Sequence, residues 1–147
     1  MFVHSPSQNV DVVVGIAPNE EEAGTTDGST FHSLAMYNAA LLVLQASPGS
    51  EDTAVATLLE AEDAEGTNAT PVAGKTITIT GGLAGEAQVG VLDISPFDLT
   101  DCQVAHFVGV RVVTDDDYCD YEAHFVMFNP RLAGDPLIDS TVDERYE

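Results

Sequence analysis

The sequence predicts an all-β chain: an antiparallel two-sheet sandwich, jelly-roll-like, of roughly seven or eight short strands. Three observations carry that expectation. Runs rich in Val and Phe alternate with period two, turn signals separate them at short intervals, and no segment shows a secure helical stripe. The clearest run is Ala105 to Phe128, AHFVGVRVVT, DDDYC, DYEAHFVMF. Its first half sets His106, Val108, Val110 and Val112 against Phe107, Gly109, Arg111 and Val113. Its second half sets Tyr121, Ala123, Phe125 and Met127 against Glu122, His124, Val126 and Phe128. Around the acidic tip this reads as a β-hairpin. A hairpin cannot bury its own apolar faces, so the rest of the chain must supply a second layer.

In chain order, Gln8 to Pro18 (QNVDVVVGIAP) is the first strand, with Val10, Val12, Val14 and Ile16 on one face and Pro18 closing it. Asn19 to Ser29 is polar and glycine-bearing, hence a loop. Thr30 to Ala46 is ambiguous. A helix capped by Ser29 would stripe Phe31, Leu34, Leu41 and Leu42, whereas an extended reading makes AALLVLQA, residues 39–46, a buried strand ended by the turn SPGSED. The strand is favoured because its neighbours are all β. Thr53 to Glu62 alternates Val55, Thr57 and Leu59 against Ala56, Leu58 and Glu60. Ala61 to Pro71 is a loop, Lys75 to Thr80 a short strand stopped by Gly81-Gly82, and Gln88 to Ile94 a strand closed by Ser95-Pro96. Residues 1–138 are expected to form one domain and 139–147 an acidic C-terminal tail.

Charge narrows the function classes. The chain of 147 residues has 25 Asp and Glu against four bases (Lys75, Arg111, Arg131, Arg145), a formal net charge of -21, although 44% of its residues are apolar. So acidic a folded body repels itself in dilute buffer, and molar salt, with a Debye length of about 3 Å, removes most of that cost. A halophilic setting is the economical account; a basic partner or a bound divalent cation is the competing one. Nucleic acid is excluded as a partner for want of a basic patch. No run approaches the roughly 18 to 20 apolar residues of a membrane span, and MFVHSPSQNV has neither basic leader nor apolar core, so synthesis in the cytoplasm without a secretory signal is expected.

Candidate chemistry is thin. Cys102-x3-His106 and Cys119-x4-His124 resemble a zinc quartet as text. With a hairpin turning near residues 115–118, however, the two thiols would lie about 40 Å apart along the strands, against about 7 Å between Cα atoms for a disulfide. Neither zinc nor a bridge is expected. Asp115, Asp116 and Asp117 are weak candidates for holding Ca²⁺ or Mg²⁺, since hard cations take clustered carboxylates, but an acidic turn in an acidic chain is more often simply solvated. G-x-S-x-G, H-E-x-x-H and a phosphate-cradling glycine loop are all missing, so no catalytic residue and no cofactor is assigned. His4, His32, His106 and His124 read as surface or satisfied core residues. The sequon Asn68-Ala69-Thr70 needs an export route to mean anything.

The order of segments resembles the jelly-roll capsid decoration, or cement, proteins of tailed bacteriophages and tailed haloarchaeal viruses. The matching pieces are QNVDVVVGIAP, Met36-Tyr37-Asn38 leading into AALLVLQA, TLLEAEDAEGTNATPV, FVGVRVVT around Arg111, and a last strand ending in Asn129-Pro130-Arg131. Together they span residues 8–138. The chain departs from that pattern in having Ala69 where a Trp is often found, and in its far greater negative charge. The resemblance implies no catalytic residues. It implies a homotrimer or other small homo-oligomer that sits on the capsid surface of the virion, with the major capsid protein as partner. A second class of function is a β-sandwich tail-fibre or cell-surface module binding carbohydrate. That reading wants exposed aromatics, and the chain has no Trp and only 4 Tyr. An enzyme using the carboxylates ranks last.

Overall fold

The computed structural model describes residues 10–21, 24–82, 86–100, 106–115 and 119–130. These form β1 (Val10–Glu21), β2 (Gly24–Asp27), β3 (His32–Ser33), β4 (Tyr37–Ser47), β5 (Thr53–Ala61), β6 (Thr70–Thr80), β7 (Gln88–Ile94), β8 (Phe107–Thr114) and β9 (Cys119–Pro130). One 3-10 turn, Pro96–Asp98, is capped reciprocally by Ser95 and Asp98. There is no α-helix among the described residues.

Two antiparallel sheets result, one of order β1-β9-β4-β7, the other of order β2-β8-β5-β6 with β3 also on β8. If the broken β2–β3 stretch counts as one strand, pairing is nested: β1 with β9, β2–β3 with β8, β4 with β7, β5 with β6. Such nesting is one long antiparallel ribbon, doubled at the β5–β6 turn. Rolling it up adds the β4–β9 and β5–β8 pairs. This is the jelly-roll arrangement.

The core is what the alternation predicts. Leu42, Leu44, Ala123 and Phe125 from the first sheet meet Ala56, Leu58, Val108 and Val110 from the second, all fully buried. Strands β4, β5, β7, β8 and β9 fall close to their expected positions, and β8 and β9 each bury one of the two alternating sets that the sequence shows. The extended reading of residues 39–46 holds over the helical one, and β6 begins earlier than expected, at Thr70.

Three expectations are corrected. First, β8 and β9 do not pair as a hairpin. They lie in different sheets, and their inward residues face each other across the sandwich. Alternation identifies a strand but not its partner, and TDDDYC lacks the Asn-Gly or Asp-Gly signal of a tight turn. The 40 Å separation inferred for the two thiols therefore loses its premise; Cys119 is buried and Cys102 lies outside the described residues. Second, the loop expected over 19–29 and the stretch after it contain two short strands, β2 and β3. Their few residues are too polar to show a pattern.

Third, Val10, Val12 and Val14 do not share a face with Ile16. The register shifts between Val14 and Ile16, so Val13 and Ile16 point inward while Val10, Val12 and Val14 point out. A bulge at glycine does this. A Cβ on Gly15 would stand 2.8 Å from Val110 Cγ1, so only glycine lets β1 press this closely on β8.

Polar contacts tie the rolled ribbon together. Arg111 on β8 forks onto Asp27 on β2 at 2.6 and 2.9 Å. Buried Glu60 accepts from Thr100 N at 2.8 Å and Thr100 Oγ1 at 2.5 Å, holding the segment after the 3-10 turn against β5. Asp63 closes the β5–β6 turn by accepting from the backbone of Glu65 and Thr67. Hydrogen bonds hold three carboxylates below the usual range: from Arg111 to Asp27, from Thr67 to Asp63 and from the Thr53 backbone to Asp115. A carboxyl depressed in the folded state contributes stability above its unfolded value near 3.8 and loses it as pH falls through the folded value. In molar salt, with net repulsion screened, the thermal midpoint is expected to drop once pH passes below about 4. A midpoint that holds level through that acid range would contradict these three contacts.

Candidate docking face

The two outer faces of the sandwich differ in kind. On the β2-β8-β5-β6 sheet the outward positions are largely polar: Thr25, Asp27 and Arg111, then Thr57, Thr76, Thr78 and Thr80. Part of the apolar surface of that face is covered, because Phe31 folds over it beside Leu59, Ala61 and Phe107, while Val113 is left 40% exposed. Its ring lies so near Gly109 that a Cβ there would be 2.5 Å away.

The β1-β9-β4-β7 sheet has no such cover among the described residues. Register places three apolar rows across its outer side: Val10, Phe128 and Ala39; Val12, Val126, Leu41 and Asp93; Val14, His124, Val43 and Val91. Val89 continues the face along β7. The edge valines are open to solvent, Val12 at 60%, Val91 at 56% and Val89 at 62%. Asp93 is the only carboxylate in the three rows. Lys75, whose Nζ binds the Asp93 carbonyl at 2.9 Å and the Asp98 carboxylate at 2.8 Å, stands beside it. Phe97, in the 3-10 turn just beyond β7, is 89% exposed.

An apolar patch on an otherwise acidic body is the kind of surface through which proteins associate. Its chemistry is chiefly burial, His124 and Asp93 being the polar side chains in its rows. Further along the same sheet is a hollow of about 570 Å³ lined by Pro18, Gln45, Ser47, Asp120, Tyr121 and Glu122. Its aromatic, Tyr121, is buried and donates from its hydroxyl to Thr26 Oγ1 at 2.6 Å, so it offers a sugar no stacking platform.

The residues singled out from sequence are dispersed. Asp115 is pinned to the start of β5, its carboxylate accepting from Thr53 N and from Thr53 Oγ1. Asp116 and Asp117 lie outside the described residues, as do Cys102 and His4. No group of three or more His, Cys, Asp or Glu side chains that could hold a metal occurs among the described residues. His32 Nε2 bonds the Val14 carbonyl at 2.9 Å, and His106 packs on Phe107. His124 sits in the third apolar row, between Val14 and Val43. Asn68 is exposed at the β5–β6 turn, in left-handed backbone, with its amide donating to Glu62. No helix among the described residues is long and apolar enough to cross a membrane.

Sequence reasoning missed this face because it placed Val10, Val12 and Val14 on the same side of β1 as Ile16. A signal was present. In β4, AALLVL is apolar in both phases, which is the pattern of a strand covered on both sides.

No protein-family model matches the sequence, and no curated protein matches it either. Solved structures do match the fold. A D431N mutant VP2 protein of infectious bursal disease virus in T=1 particles superposes with a TM-score of 0.52 at 12% identity, over 82% of this chain and 31% of that one. The VP2 subviral particle of the same virus gives 0.52 at 11% identity, over 82% and 32%. The chain thus spans about a third of the capsid chains it is similar to, and the likeness establishes a jelly roll shared with a viral capsid protein. The Clostridium thermocellum xylanase 10B chain with CBM22-1 and GH10 modules superposes at 0.43 with 8% identity, over 87% and 27%, too low to argue from.

Proposed function

We propose that this chain is a structural virion protein: a capsid decoration, or cement, protein that binds and stabilises the major capsid lattice of a tailed virus of a halophilic host. The observation that carries the reading is the nested strand order, in a body similar to the VP2 capsid fold over 82% of its length. An exposed apolar sheet face supports it, since a lattice protein works through surface burial and performs no reaction. The charge of -21 supports the halophilic host, where salt screens what would otherwise be self-repulsion. On this reading the partner is the major capsid protein, the chain is a small homo-oligomer made in the host cytoplasm, and its place is the capsid surface. Cryo-EM of purified virions tests it: density for this jelly roll is expected on the outer surface of the capsid shell. Density at the tail tip, or absence of the chain from particles, would reject the capsid role.

A further inference from the structure

We infer that the outer face of the β1-β9-β4-β7 sheet is the docking site for a second copy of this chain, two sandwiches joining face to face across a two-fold axis near Leu41 and Val126. This names the contact face of the small homo-oligomer proposed above and does not rest on a place in the virion.

Charge selects the occupant. With 25 acids against 4 bases, a basic partner would find carboxylates over most of this surface, and its docking patch would be acid-rich. This face is the reverse, with Asp93 the one acid in three rows and Lys75 beside it. A contact between two copies of one polyanion demands such a centre, because like charges pressed together oppose binding. The acids at Glu122 and Asp120, further along β9, then fall at the rim, where salt screens them.

Shape agrees, and size limits the strength. A sheet face packs on another at about 10 Å, with strands aligned near 30° or crossed. The rows span about 19 Å across four strands and about 17 Å along them, with Val89 and Phe97 extending the edge. That is small beside a standard interface, so the contact is reversible. The same patch serves both copies, an isologous contact, and the resulting oligomer is a dimer or a multiple of one. Because association buries apolar surface between two polyanions, it strengthens as salt rises, opposite to a charge-driven complex.

Sedimentation velocity on the full chain in molar KCl, over a concentration series, tests this. The wild type is expected to be a reversible dimer. The double variant Val12→Glu and Val91→Glu, at exposed positions that folding does not bury, is expected to raise the dissociation constant at least about tenfold. A control of equal charge on the opposite sheet, Thr76→Glu with Thr78→Glu, should dimerise like the wild type, with far-UV circular dichroism showing all three folded. A wild type that stays monomeric, a trimer indifferent to the Val variants, or equal dissociation by the Thr variants would each overturn the inference. So would a monomer that dimerises only when residues 131–147 are removed, which assigns the face to the chain's own end. A monomer whose face binds an apolar dye, with the Val variants losing it, assigns the face to a foreign partner and overturns it as well. Position on the virion is read separately, so either proposal can fail without the other.

Discussion

Transfer from molar KCl to dilute buffer is expected to unfold this protein, with loss of the β-sheet signal in far-UV circular dichroism and recovery when salt is restored. The formal charge of -21 sits on a small sandwich. Of the two bases among the described residues, each already serves an internal pair, Arg111 with Asp27 and Lys75 with Asp98. Neither offsets the remaining acids. At about 0.1 M salt the Debye length is near 10 Å, so carboxylates on neighbouring strands repel one another; at about 1 M it is near 3 Å and they scarcely do. A domain stable by only about 5–15 kcal/mol has little margin against such a sum. Any monovalent salt at equal ionic strength should serve. Full folding in dilute buffer would refute the screening account. Rescue by millimolar Ca²⁺ alone would replace it with specific cation binding, for which Asp115 and its neighbours would be the first place to look.

Phe125→Ala is expected to cost about 3–5 kcal/mol, a large share of the stability of such a domain. Phe125 is fully buried midway along β9, between Val13 on β1 and Leu42 on β4, in the core shared by both sheets. Its ring centroid lies 6.0 Å from that of His32, so it also anchors the short strand β3. Removing it leaves a cavity that two hydrogen-bonded sheets cannot close, because each is held rigid by its own ladder. Urea unfolding in molar KCl measures the loss. A change below about 1 kcal/mol would mean that Phe125 is not enclosed between the layers.

How legible this was depended on range. Strand existence and alternation are local properties, and β8 shows it: Val108, Val110 and Val112 alternate with Gly109, Arg111 and Val113, and all three are buried. Strand β7 runs from Gln88 to Ile94 as the sequence suggested, just before Ser95-Pro96. The β1 phase failed at a single residue. Gly15 inserts a bulge, and since side chains alternate with period two, one extra residue sends three valines to the opposite face. Nothing in QNVDVVVGIAP states which side of the bulge is the core.

By itself the sequence determined the class: an acidic, all-β, two-layer chain without a recognisable reaction centre motif, because composition and alternation are written residue by residue. Only the tertiary structure decided that β8 and β9 belong to different sheets and that the apolar side of β1, β9, β4 and β7 is turned to solvent. Partner choice and exposure depend on contacts between residues far apart in the chain, such as Val12 with Val126 and Leu41 with Val126. Those pairings arise when the ribbon rolls up, and no local pattern encodes them.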